Sequence, residues 1–166
     1  MDAFQLSHEA QVGLRFIAWY NDKHRTQFTY TGRSEEAPHL IFKDGVKQIW
    51  AEVATVYYDS TASQFRWLGT SGNSEPPRDL NSVEFHAGLV RFINQGVSDR
   101  CGKDYLTDCV LLISVMPTVT TISRMRELLK DLVIPERNPF KGIYLLGRFT
   151  RAGRSGRPEI EVRQVA

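Results

Sequence analysis

Cysteine is nearly absent from this chain: Cys101 and Cys109 are the two it has. Two cannot build a disulfide framework, and no second Cys or His pair stands near them at metal-ligand spacing. Reduced thiols in a cytoplasmic protein are the expectation. Long apolar runs are also missing. The longest, CVLLISVMP from Cys109, falls far short of a membrane span. The opening MDAFQLSHEA has neither a basic n-region nor an apolar h-region, so no signal peptide and no membrane partner are expected. Charge of one sign is not in excess. With 21 basic and 19 acidic side chains, the net charge of +2 neither demands nor excludes a nucleic-acid partner. There is no Gly-x-Ser-x-Gly elbow, no phosphate-binding glycine loop before Lys-Ser or Lys-Thr, and no His-Glu-x-x-His.

A core is affordable nonetheless. Of the 166 residues, 42% are hydrophobic and 24% charged, which excludes a disordered chain. This length predicts one domain over residues 1–166. The loop-like TSGNSEPPRDLN, Thr70 to Asn81, joins two halves of it, since neither half is long enough for a good core alone.

Periodicity then orders the elements. A helix is expected from Ser7 to Lys23, with Ser7 as N-cap and Ala10, Leu14, Ile17 and Ala18 on one stripe. TQFTYTG reads as a short strand or an extended connection. HLIF and VKQIWAEVATVYYD read as strands around a Lys-Asp-Gly turn, where Asp-Gly supplies positive φ angles. QFRWLG follows as a further strand. Asn81 and Glu84 form a capping-box pattern for a second helix that stops near Gly96 or Gly102. CVLLISVM, bounded by Pro117, fits a strand buried on both faces. Ile122, Met125, Leu128, Leu129 and Leu132 make a third helix ended by Pro135, and GIYLLGRF and EIEVRQV close the chain as strands. The result is an α/β fold with a mixed central sheet flanked by helices.

One residue resists this pattern. Glu52 sits within a strand that also carries Ile49, Trp50, Val53 and Val56, and a buried carboxylate costs several kcal/mol unless something compensates it. Alternation puts Glu52 with Trp50 and Ala54 on one face, and Ala51, Val53 and Thr55 on the other.

Order and residues together resemble the restriction-endonuclease-like superfamily, the PD-(D/E)XK nucleases, whose core is a helix, a three-strand meander, a helix and a strand. Pro38-His39 stands where that family has Pro-Asp, and Glu52-Val53-Ala54 where it has Glu-x-Lys. Glu9 stands near the start of the first helix, where an acidic residue is common in the family. The resemblance implies a divalent metal, Mg²⁺ or Mn²⁺, held by Glu9, His39 and Glu52, activating water at a scissile phosphate. It also marks two departures. His39 is a nitrogen donor where hard Mg²⁺ prefers oxygen, and would suit Mn²⁺, Zn²⁺ or Ni²⁺ better. Ala54 supplies no amine, which leaves Lys47 and Lys103 as candidates beside Glu52 for the catalytic set.

Each of these residues has an ordinary alternative. Glu52 fits the solvent face of a half-exposed sheet, His39 a structural strand start, and Glu9 a helix-dipole partner in the first turn. Arg148, Arg151, Arg154 and Arg157 lie in the Gly- and Ser-containing RFTRAGRSGRPE, which suits either tracking of a phosphate backbone or a solvated hairpin loop. Trp67 fits either a stacked base or the sheet surface. The expectation is a nuclease-like domain with an eroded metal site that binds nucleic acid or hydrolyses it weakly. The alternative is a non-catalytic protein-interaction or assembly module on the same fold, with room for a homo-oligomer.

Overall fold

The computed structural model describes residues 3–59, 64–67, 83–150 and 159–166. The expected loop at 70–81, Asn81 of the capping box, and Arg151, Arg154 and Arg157 lie outside the described residues.

In chain order the elements are α1 (Ala3–His24), β1 (Thr29–Arg33), β2 (Leu40–Asp44), β3 (Lys47–Asp59), β4 (Gln64–Trp67), α2 (Val83–Cys101), β5 (Cys109–Thr121), α3 (Ile122–Asp131), β6 (Phe140–Thr150) and β7 (Glu159–Gln164). The strands form a seven-stranded mixed sheet in the order β1-β2-β3-β5-β6-β7, with β4 pairing β3 off this path. The β1–β2, β2–β3, β3–β4 and β6–β7 pairs are antiparallel, and β3–β5 and β5–β6 are parallel. This is the mixed sheet flanked by helices that the sequence predicts. Its meander is β1-β2-β3, so TQFTYTG does contain a strand and β4 is an addition.

Two apolar layers sandwich the sheet, and strand alternation divides them. Val12, Phe16 and Ile17 of α1 pack on Leu40, Phe42, Ala51, Val53, Val110 and Leu112. Leu89, Ile93 and Val97 of α2, with Met125 and Leu128 of α3, pack on Ala54, Val56, Leu111, Ile113 and Val115. Odd residues of β3 therefore face α1, and even ones face α2 and α3, as the periodicity of Ala51/Val53 against Trp50/Ala54 predicts. Fully burying side chains such as Phe16 or Leu111 is worth roughly 1.5–3 kcal/mol each.

Two boundaries depart from expectation and a third falls at one of its two expected places. The first helix is helical from Ala3, not Ser7, so Glu9 sits in its second turn, inward-facing, and the first turn holds no acidic residue. Stacking of Phe4 on His8 and a Gln5–Glu9 hydrogen bond support the added turn. Its far end is a Schellman-type cap: Arg25 is left-handed at φ 54°, and the Thr26 N–H donates to the Asn21 carbonyl at 3.1 Å. The strand from Cys109 runs through Pro117 to Thr121. It does so because its register against β6 shifts between Ser114 and Val119, and an irregular stretch tolerates a residue with no N–H. Finally, α2 continues past Gly96 and ends just before Gly102, the second of the two expected stops.

Candidate functional site

Pairing along β3 leaves a gap. Residues 47–51 pair with β2, residues 56–59 pair with β4, and 52–55 fall between the two hairpins, paired across the sheet to β5. Glu52 is the first residue beyond the last β2 pair, Leu40↔Ala51, which sets it beside His39. A cleft of about 150 Å³ opens there, lined by Gln5, Glu9, His39, Glu52, Val53, Thr55, Trp67 and Arg100. Although α1 and α2 cover opposite faces of the sheet, both reach it: α1 through Gln5 and Glu9, α2 through Arg100 of its last turn. Three residues far apart in sequence and suspected of sharing one site, Glu9, His39 and Glu52, thus border one cleft.

Each has a definite environment. Glu9 is 7% exposed. One of its carboxylate oxygens pairs with the Arg33 guanidinium, and the other accepts a longer hydrogen bond, 3.4 Å, from Gln5 Nε2. This ion pair, not the helix dipole, accounts for Glu9. Arg33 arrives through the β1–β2 ladder, opposite Leu40, with a register shift at Gly32, whose φ of 148° favours glycine. The His39 ring has Nδ1 3.4 Å from the Ser34 carbonyl, while its backbone N–H bonds the Glu52 carboxylate. Pro38 before it is buried.

Glu52 is half-buried, and its Oε2 is buried with no hydrogen-bond partner. Thr55 Oγ1 and Arg100 Nε, from two other cleft residues, are in the same condition. Burial pushes the Glu52 carboxyl above its ordinary value. Electrostatic interactions with His39 and Arg100 and the His39 N–H oppose that shift, while Glu9 adds to it. The same burial acts on neighbours that sense Glu52. The Cys109 thiol is pushed up to about 12, by burial first and then by Glu52 and Asp108, and the Tyr105 phenol is raised for the same leading reason. Arg100 lies over the Trp67 ring, 4.6 Å from its centroid, and its Nη1 donates to the Gly96 carbonyl. Trp67 therefore has a structural role in the wall of the cleft, packed on Phe92 with ring centroids 5.2 Å apart.

A raised carboxyl pKa has a definite sign in stability. The folded protein holds this proton more tightly than the unfolded chain does. The stabilisation is complete below about pH 4.5, the ordinary value, and is lost as pH rises through the folded value. Against Glu52→Gln, which cannot ionise, the wild-type thermal midpoint should fall progressively as pH rises from 4.5 towards neutrality. Parallel midpoint curves for the two proteins would show that Glu52 is not a strained carboxylate.

The other described candidates, Lys47, Lys103 and Arg148, do not line the cleft. Lys47 is exposed at the start of β3. Five residues separate it from Glu52, an odd number, so it points to the other face about 16 Å away along the strand. Lys103 is exposed in the turn after α2. Arg148 lies on β6, two strands from β3 in the sheet order. The basic groups that do border Glu9 and Glu52 are Arg33 and Arg100, and sequence reasoning singled out neither. The signal available for Arg100 was its place in the last turn of a helix leading directly into the strand beside β3. Arg33 offered none.

The donor set is a poor match for a divalent cation. The orphaned Glu52 Oε2 calls for a positive partner. Glu9, however, is already engaged by a guanidinium, a second guanidinium acts on Glu52, and the third position holds an imidazole. Among the described residues, no group of three or more His, Cys, Asp or Glu side chains stands as a metal-holding cluster. These residues do not fit a two-carboxylate Mg²⁺ centre.

Among the described residues no helix is long and apolar enough to cross a membrane. No family model matches the chain, and no curated protein matches it. Among solved structures it is similar to Pyrococcus furiosus SfsA in complex with Ca²⁺, at 14% identity with a TM-score of 0.26. The match covers 81% of this chain and 50% of that one, so the chain spans about half the length of the neighbour. A TM-score of this size carries neither fold nor function across.

Proposed function

We propose that this chain is a restriction-endonuclease-like domain with an eroded metal site, which binds nucleic acid and hydrolyses it weakly or not at all. The observation that supports this reading most is the placing of Glu52. A half-buried carboxylate with an unpartnered oxygen stands beside the residue after Pro38, at the gap in the sheet, with Glu9 of the first helix across the cleft. A residue serving only the scaffold has no need of that environment. Arg100 at the cleft and the arginines at 148, 151, 154 and 157 supply charge for a phosphate backbone.

Binding to labelled single- and double-stranded DNA and RNA should weaken as salt rises, with a logarithmic slope of roughly −0.9 per neutralised phosphate on duplex DNA. Arg151→Ala with Arg154→Ala should flatten that slope. Mg²⁺-dependent cleavage by the wild type should be weak or undetectable. Robust cleavage abolished by Glu52→Ala would overturn the claim of erosion. The second reading is an assembly module on the same fold, for which Phe4, 69% exposed on α1, is a candidate contact. Undetectable binding to every nucleic acid at low salt, together with a dimer in sedimentation that Phe4→Ser dissociates, would select it.

A further inference from the structure

We infer that Arg33 and Arg100 hold, as fixed guanidinium charges, the place that a divalent cation takes in sites of this layout, so that without metal Glu9 is paired and Glu52 is partly offset. The inference rests on the likeness of the cleft to a nuclease site, but not on nucleic-acid binding. Its ground is the pairing of charges. The cleft carries two carboxylates, Glu9 and Glu52, too buried to be left alone. A metal in such a site supplies two positive charges between them. Here Arg33 lies directly on Glu9, and Arg100 lines the same cleft as Glu52, where its charge offsets part of the burial of that carboxylate. Two carboxylates and two guanidinium groups therefore share one cleft, one pair in direct contact, with His39 beside them.

The two cations are anchored independently of each other. Arg33 is delivered by the β1–β2 ladder. Arg100 is held by the Trp67 ring and the Gly96 carbonyl. Arginine suits this role because it keeps its charge at any pH the protein survives, and its planar fork matches a carboxylate. An incoming divalent ion would have to displace Arg33 from Glu9 and then stand close to Arg100. Both steps oppose binding.

The test uses the intact chain with Mn²⁺ or Mg²⁺ alone and no nucleic acid, so its outcome is separate from that of the binding experiment. Wild type should show the same thermal midpoint in millimolar Mn²⁺, in Mg²⁺ and in chelator. Free Mn²⁺, read by its electron paramagnetic resonance signal, should not fall when the protein is added. Arg33→Met should lower the midpoint in chelator and recover about 3 °C or more in Mn²⁺, because the freed Glu9 and Glu52 now bind it. Adding Glu52→Gln to that variant should abolish the recovery. Arg33→Lys, which keeps the charge, should stay indifferent to metal. Wild type that takes up Mn²⁺ and loses it on Glu52→Gln would overturn the inference. So would a folded Arg33→Met protein with no metal dependence. Should Arg33→Met fail to fold even in Mn²⁺, the resonance measurement on wild type decides alone.

Discussion

Ala54→Lys should cost about 3 kcal/mol or more of unfolding free energy, enough to leave the domain marginal. The position looks like an invitation. It is two residues beyond Glu52 on the same strand face, where a Glu-x-Lys motif would carry its lysine. Packing closes it. Ala54 is 2% exposed and belongs to the apolar layer that includes Leu89, Ile93 and Ile113. A lysine there adds three carbons beyond Cβ to a filled core and brings an ammonium out of water. Overpacking alone costs about 1–3 kcal/mol. The charge adds more unless it reaches the unpartnered Glu52 Oε2. Ala54→Met separates the two terms, since it carries comparable bulk without charge. Chemical denaturation should rank wild type above Ala54→Met, and Ala54→Met well above Ala54→Lys. A lysine variant as stable as wild type would mean that its amine reaches Glu52, and that the family's arrangement is still accessible. Installing an aspartate at 39 and a lysine at 54, as the proposed reading suggests, therefore meets a packing obstacle before any chemical one.

That obstacle shows where sequence reading succeeds and where it stops. The anomaly of Glu52 was legible because strand periodicity makes each residue's face predictable, and a carboxylate on an apolar strand breaks the pattern visibly. The neighbourhood of His39 was legible because a short hairpin fixes register: the turn, which falls at Gly45–Val46 with Gly45 at φ 59° and Asp44 still in β2, brings Leu40 opposite Ala51. The element order followed from the same two periodicities. What stayed hidden has one cause. Arg33 meets Glu9 across 24 residues, and Arg100 faces Glu52 from another helix, so neither contact leaves a local pattern. A basic residue near a strand or helix end is ordinary in any sequence. Lys47 attracted attention for its place earlier on the same strand and Lys103 for its place near the end of the second helix, and neither lines the cleft. The boundaries moved for related reasons. The strand from Cys109 passes Pro117 because a register shift absorbs it, and a shift of that kind is a property of two strands together.

Gly96 carries the remaining large effect, and it too was read locally. A glycine in a helical run suggests a helix end, yet α2 passes through it. Alanine normally gains about 1 kcal/mol over glycine inside a helix. At this position the sign should reverse. A Cβ on Gly96 would lie 1.9 Å from Trp67 Cζ2, 2.7 Å from Cη2 and 2.9 Å from Cε2. The ring cannot simply step aside, because Phe92 packs against it and Arg100 covers it. Moving the backbone of β4 means disturbing its pairing with β3 at Val56↔Trp67. Gly96→Ala should therefore destabilise by about 1–3 kcal/mol despite its better helix propensity. The same change should release Arg100 from its ring and shift the tryptophan emission. Trp67→Ala should also destabilise. The double variant should cost less than the sum of the two, since removing the ring removes the clash. Additive losses would place Trp67 elsewhere than against Gly96, and the wall of the cleft with it. If the coupling is found, Gly96 is a requirement of the site: the absent side chain lets an indole lie on α2 and hold Arg100 beside Glu52.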